Sequence, residues 1–242
     1  KLSRVAANGA PDAPPGVLFV TRGPGATNAS SGLHVAMHDA TPLICFVGQA
    51  PLKHRDRGVF QEVDYRGFFG PLVKWVAEVE RTDRIAEYID RAFFLARSGR
   101  PGPVVLALPE DILSAEAEAP PPAPAGGIAP GDLDAAACAA ILDRMQNATR
   151  PMILIGGSLW SDKAHAAIGP LAAALGAPVA ATFRRQDYMD NDHPHYAGDL
   201  GVGQNPALAQ RLAEADCLLL LGAELRDITT GDYADMGPGR AG

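Results

Sequence analysis

With 242 residues, 47% apolar and 20% charged, the chain has ordinary soluble globular composition and is long enough for one large or two small domains. A net charge of −7 with no basic block argues against nucleic-acid binding as a main task, and no apolar run exceeds strand length, so no membrane partner is expected. Three scattered cysteines, Cys45, Cys138 and Cys217, make neither a disulfide framework nor a metal pattern. Cys45 and Cys217 sit in apolar runs and read as buried free thiols, which suits a reducing, cytoplasmic setting.

Ala6 to Pro15 is an Ala-, Gly-, Asn- and Pro-rich loop. The apolar run Val17 to Val20 then breaks into Thr21-Arg22-Gly23-Pro24-Gly25. A small-residue helix is predicted from about Ala26 to His38, and a second apolar run, Leu43 to Val47, ends in Gly48-Gln49. Strand, glycine turn, helix, strand is one βαβ unit of a parallel sheet. A charged loop from Pro51 to Gly58 leads to Phe60-Gln61-Glu62 and an aromatic turn from Tyr65 to Phe69. Val73 to Val79 alternates as a strand does. Thr82-Asp83 is predicted to cap a helix from Arg84 to about Arg97, with Ile85, Tyr88, Ile89, Ala92, Phe93 and Ala96 on one face. Gly99 ends that helix, and Val104 to Leu108 is a buried strand.

Composition then changes. Ser114 to Gly131 is built from Ala, Pro, Gly and Glu without a hydrophobic period, and reads as an extended linker between a first domain over 1–113 and a second over 132–242. In the second, a helix is predicted from Asp132 to about Met145 with Leu133, Ala137, Ala140, Ile141 and Leu142 inward. A strand over Met152 to Ile155 exits into Gly156-Gly157-Ser158. Ser161 to Leu175 is a helix stopped by Gly176, Pro178 to Thr182 a strand, and Phe183 to Gly203 a polar loop. A helix over Pro206 to Ala213 precedes a very apolar strand, Cys217 to Leu221, that exits into Gly222-Ala223. Repeated strand-to-glycine exits give the fold class: α/β, two parallel-sheet three-layer domains, the second Rossmann-like. Both ends read as cuts through a longer protein, since the chain opens on Lys1-Leu2-Ser3-Arg4 without Met and no strand closes the second domain.

Chemistry is expected at the first turn, where Gly23 and Gly25 allow close backbone approach and the helix presents its first N–H groups. Three readings compete there. A dinucleotide fingerprint fits poorly, because Asn28 stands where its third glycine would fall and Pro24 removes a donor. A plain tight turn, with Asn28 satisfying local backbone, is the second. The third is a resemblance. Thr21 to Asn28, Pro42, Gly48-Gln49, Phe60-Gln61-Glu62 and Ser98-Gly99-Arg100-Pro101-Gly102-Pro103-Val104, in this order, resemble the pyrimidine-binding domain of thiamine-diphosphate enzymes of the acetolactate synthase group. Phe183 to Asp187, His193-Pro194, Tyr196 to Gly201 and Gly222 to Leu225 resemble loops of the central domain of the same enzymes.

That resemblance implies thiamine diphosphate held with Mg²⁺, decarboxylation of a 2-oxo acid with carboligation, and a homodimer or homotetramer whose partner subunit grips the diphosphate. It implies that Pro24, Gly25 and Asn28 line the pyrimidine pocket, that Gln49 reaches the same site, and that Phe60 and Gln61 approach the reacting substrate. Pro51 and Lys53 would wall the channel. No acidic residue precedes Asp12 to serve as the family glutamate, and no Gly-Asp-Gly…Asn metal motif occurs, so the chain by itself is expected to be inactive. FAD on the central domain stays open: Arg184, Arg185 and Arg226 could meet a pyrophosphate, but the stretch Asp111 to Asp143 offers no cation. His34 and His38, four apart on one helix face, read as packing or surface, because further metal ligands are not evident. The alternative from another class is a non-catalytic nucleotide-binding or dimerisation module.

Overall fold

The computed structural model describes residues 14–118, 133–158 and 160–234. Backbone contacts divide the chain into two compact units, Lys1–Ala129 and Pro130–Gly242. Most of the linker expected over 114–131 lies outside the described residues.

The first unit runs β1 (Gly16–Val20), α1 (Pro24–His38), β2 (Leu43–Gln49), α2 (Tyr65–Phe69), β3 (Trp75–Glu78), α3 (Ile85–Arg97), β4 (Pro103–Pro109) and α4 (Glu110–Ser114). Its sheet has the order β1-β2-β4-β3 with every pair parallel. Helix α1 covers one face, where Ala26 and Leu33 pack with Cys45, Val47, Val105 and Ala107 and with Tyr65 and Phe69. Helix α3 covers the other, where Ala92 and Ala96 pack with Ile44, Phe46, Val104 and Leu106. Cover on both sides explains why β2 and β4 are apolar at nearly every position rather than alternating. The edge strand β1 leaves Val17, Leu18 and Phe19 exposed.

Two expectations fail locally in this unit. The aromatic turn is a helix, because Asp64 caps α2 by accepting from the N–H groups of Arg66 and Gly67. Thr82-Asp83 does not cap α3. A 3₁₀ turn, Thr82–Arg84, precedes that helix, and the Asp83 carboxylate pairs with Arg81 at 2.5 Å, a charged partner outcompeting backbone N–H.

The second unit runs α5 (Ala135–Asn147), β5 (Pro151–Ile155), α6 (Asp162–Leu175), β6 (Val179–Thr182), β7 (Tyr196–Leu200), α7 (Pro206–Ala213) and β8 (Cys217–Leu221). Its sheet has the order β7-β6-β5-β8, again all parallel. Helix α6 is capped by Ser161 and stopped by Gly176 in the left-handed conformation, as predicted. Strand β7 lies inside the expected polar loop; a register shift beside Val179 and the polar Asp199 hide its pattern. Helix α5 starts three residues later than expected, capped by Asp134, and its apolar stripe does not face inward. Leu133 is 79% exposed and Ile141 and Leu142 stand out of the core, because α5 meets the sheet through Met145, which packs beside Ile153 and Cys217. Cys217 is accordingly half-buried, whereas Cys45 is fully buried. Among the described residues no helix is long and apolar enough to cross a membrane.

Candidate cofactor pocket

The chain leaves β1 at Val20 and must reverse into α1 within three residues. Gly23 makes this turn with φ +62°, and a Cβ there would come within 2.7 Å of Gln61 Cβ, so only glycine fits. Three of the N–H groups around the helix start are engaged within the chain. Gly23 donates to the buried Tyr65 Oη at 2.9 Å, Pro24 has no N–H, Ala26 donates to Thr21 O at 3.0 Å, and Thr27 donates to Gly23 O at 2.9 Å. A phosphate-binding helix start needs those donors aimed outward. With the donors of Gly23, Ala26 and Thr27 turned to the chain itself, the turn fits the dinucleotide reading poorly. Local backbone is served by the hydroxyls of Thr27 and Ser30, which donate to Pro24 O and Thr27 O, while Pro24 and Asn28 stay exposed.

The loop between β2 and α2 comes back against this turn. Gln61, itself at φ +64°, lies on Gly23, and the neighbouring Phe60 is 77% exposed. The loop is tied down at several points. Gln49 Nε2 donates to Val63 O at 2.8 Å and lies 3.4 Å from Glu78 Oε2, while Gln49 Oε1 accepts from Ala50 N–H at 2.9 Å. Arg55 forms an ion pair with Glu78. Asp111 accepts from Leu52 N–H at 3.0 Å, and although its burial pushes the carboxyl up, the N–H groups of Leu52 and Lys53 hold it below the usual carboxylate range.

The fold therefore brings the Gly23-Pro24-Gly25 turn and the Phe60-Gln61 loop together and leaves Pro24, Asn28 and Phe60 facing outward. Gln49 is placed at the base of the loop with its amide engaged within the chain. Tyr65 is the participant that sequence reasoning missed; it stands 42 residues from the glycine it holds, and an aromatic cluster carries no sign of which hydroxyl has a partner.

Beside this loop opens a cavity of about 500 Å³ lined by Gln49, Arg55, Glu62, Arg66, Glu78 and Glu80 among others. Five carboxylates and two guanidinium groups face it, and no residue of the Gly23 to Asn28 turn does. Among the described residues there is no group of three or more His, Cys, Asp or Glu side chains arranged to hold a metal ion. The turn, with Pro24 and Asn28 exposed, and the acidic cavity are thus separate surfaces of this unit.

In the second unit, strand order reverses between β5 and β8, the place where open α/β sheets take nucleotides. There the two strand exits meet each other. A Cβ on Gly157 would lie 2.4 Å from Gly222 O, and Ile155 bridges to Gly222. Trp160 Nε1 donates to Gly156 O at 2.8 Å, and Tyr188 Oη and Arg185 Nε both donate to Gly157 O, at 2.8 and 2.5 Å. Arg185 is 3% exposed, Arg226 pairs with Glu224, and the Arg184 guanidinium lies over the Phe183 ring. These glycines admit backbone to backbone, which does not fit a flavin pyrophosphate at this exit.

Comparison with known proteins joins these two units to one family. Residues 5–68 match the N-terminal TPP-binding domain of thiamine pyrophosphate enzymes, and residues 138–240 match the central domain of the same enzymes. The chain is 34% identical over 230 residues to the acetolactate synthase large subunit of Parasynechococcus marenigrum, an alignment that covers 92% of this chain and 37% of that protein. It is 32% identical over 232 residues to the probable acetolactate synthase large subunit of Methanocaldococcus jannaschii, covering 92% of this chain and 39% of that one. With the isozyme 1 large subunit of Escherichia coli the identity is 33% over 231 residues, covering 94% and 40%. The chain spans about two-fifths of the length of these relatives. Two domain models in the family order, on two all-parallel α/β units, place this chain among the thiamine pyrophosphate enzymes.

Proposed function

We propose that the first unit holds the aminopyrimidine end of thiamine diphosphate in an acetolactate synthase-like enzyme that decarboxylates a 2-oxo acid and joins the remaining fragment to an acceptor. The observation that carries this reading is the turn at Gly23: the N–H groups of Gly23, Ala26 and Thr27 are engaged within the chain, and Pro24 and Asn28 stand exposed on either side of a half-buried Gly25. A flat heterocycle with polar edges matches such a surface, and a phosphate does not. When bound, the cofactor supplies the electron sink for loss of CO₂. The chain's own residues orient and enclose it. Pro24 and Gly25 form the floor, Asn28 contacts a polar edge, and Phe60 with Gln61 closes the open side against water and meets the substrate. Gln49 acts from behind, holding the loop that carries Phe60 and Gln61.

Substrate entry follows from charge. The neighbouring cavity carries three more negative than positive groups, so a 2-oxo acid anion is repelled there and approaches on the Phe60 side. The diphosphate and Mg²⁺ are assigned to groups beyond the described residues, in a homodimer or homotetramer, and the 242 residues alone are expected to be without turnover. FAD forms no part of this reading, because the β5 and β8 exits are bridged by the chain itself.

Thiamine without phosphate is the direct probe. Titrated into the chain without Mg²⁺ and followed by amide NMR, it should shift Gly25, Asn28 and Gln61 and leave the second unit unmoved. Absence of any shift at this turn up to the solubility of thiamine would sink the proposal and leave a non-catalytic pair of α/β units.

A further inference from the structure

We propose that His34 and His38 form a two-imidazole chelate for a divalent transition metal ion, Cu²⁺, Ni²⁺ or Zn²⁺, on the outer face of α1. The two residues are four apart, both are exposed, and their Nε2 atoms stand 3.1 Å from each other with the rings edge to face. Two nitrogens each bound at about 2.0–2.1 Å to one metal, at angles between square and tetrahedral, are about 2.9–3.4 Å apart. The observed separation already falls within that bite. Sequence spacing alone could not establish this, since i and i+4 side chains share a face without having to converge.

The pair is also held in place. His38 is the last residue of α1, where helices fray, but Arg100 donates to Met37 O at 2.7 Å and to His38 O at 2.9 Å, and Asp39 N–H donates to Val35 O. The last turn is fixed from outside the helix, so the backbone positions that carry the two rings are fixed with it, and a chelate formed there has only the two side chains left to order. Without metal, the short contact is an imidazole N–H donating to the other ring's lone pair. A metal ion replaces that shared proton and keeps water, or a ligand from outside, in its remaining positions. The order of affinity is that of imidazole sites, Cu²⁺ above Ni²⁺ and Zn²⁺.

This inference is independent of the thiamine reading. Its test is calorimetric titration of the chain, produced without a polyhistidine tag, with Cu²⁺, Ni²⁺ and Zn²⁺ at pH 7.5. One site per chain is expected, and His34→Ala and His38→Ala should each weaken it by about tenfold or more, as loss of one of two ligands must exceed the 10- to 100-fold typical of supporting residues. His193→Ala should change nothing, although that residue also has a histidine neighbour, His195. His34→Gln, which keeps helix and side-chain length, repeats the loss if the Ala variant disturbs the helix. Substoichiometric Ni²⁺ should broaden the ring signals of His34 and His38 together. Wild-type affinity in both single variants, broadening confined to other histidines, or no saturable binding would each overturn the assignment.

Discussion

Tyr65→Phe isolates the contact on which the reading of the turn depends. Tyr65 is 1% exposed, its ring packs 5.8 Å from that of Phe69 in the core under α1, and Phe preserves both features. What disappears is one oxygen, the acceptor of the Gly23 N–H at 2.9 Å. That N–H is buried, so it cannot turn to water, and an orphaned buried donor costs about 1–3 kcal/mol. For a unit of about 100 residues each kcal/mol moves the melting midpoint by about 4–8 °C. The two units need not melt together, so the first should be followed by itself through Trp75, in a Trp160→Phe background that removes the only other tryptophan. The expected result is a loss of about 1–2 kcal/mol in the transition reported by Trp75. A loss below about 0.5 kcal/mol would show that the Gly23 N–H does not need Tyr65, and the argument against phosphate at the turn would lose its first donor.

Three further outcomes are expected. Burial pushes the Cys45 thiol up to about 12. The folded chain therefore keeps a proton that the unfolded chain releases above about pH 9, and stability should fall by about 1.4 kcal/mol per pH unit from there to about 12, a slope that Cys45→Ala removes in urea unfolding. Asp216 behaves oppositely: the N–H of Arg150 and then that of Thr149 outweigh burial and hold its carboxyl below the usual range, so its contribution is present above about pH 4 and lost on acidification. Asp216→Asn should flatten the acid limb of the second unit's stability profile. Phe60→Ala, at a side chain 77% exposed, should leave the unfolding free energy within about 0.5 kcal/mol of wild type while removing the thiamine-induced shift at Gln61.

Strand and helix positions were legible wherever burial is two-sided. β2 and β4 read as apolar runs because α1 and α3 cover both faces, and in the second unit α6 begins and ends on residues whose backbone chemistry is local, Ser161 and Gly176. Legibility failed where the deciding partner is distant or charged. Asp83 looks like a cap until Arg81 takes it, and β7 looks like a loop until β6 supplies its ladder. The stripe on α5 looks like a core face, yet Met145 is the residue that reaches the sheet. In the site, the Gly-Pro-Gly turn could be read from the sequence because glycine and proline constrain their own backbone. The partner that determines what the turn can bind, Tyr65, could not, because a hydrogen bond across 42 residues leaves no trace in spacing.

The same accounting separates the residues that can meet a ligand from those that shape the place where it sits. Gln49 gives one Nε2 hydrogen to Val63 O and one Oε1 lone pair to the buried Ala50 N–H, and turning its amide away from either partner would cost about 1–3 kcal/mol. A single new hydrogen bond to a ligand returns about 0.5–1.5 kcal/mol net, so the amide keeps its observed orientation, and any ligand contact uses the hydrogen or lone pair that this orientation leaves over. Asn28 and Phe60 face no such cost, because both already stand exposed beside the turn. Gln49 is more effective where it is: through Val63 it fixes the end of the loop, and through the loop it fixes Gln61 against Gly23, where a shift of a few tenths of an ångström would be felt at once. On the proposed reading, the sequence position that resembles a contact residue also positions Phe60 and Gln61.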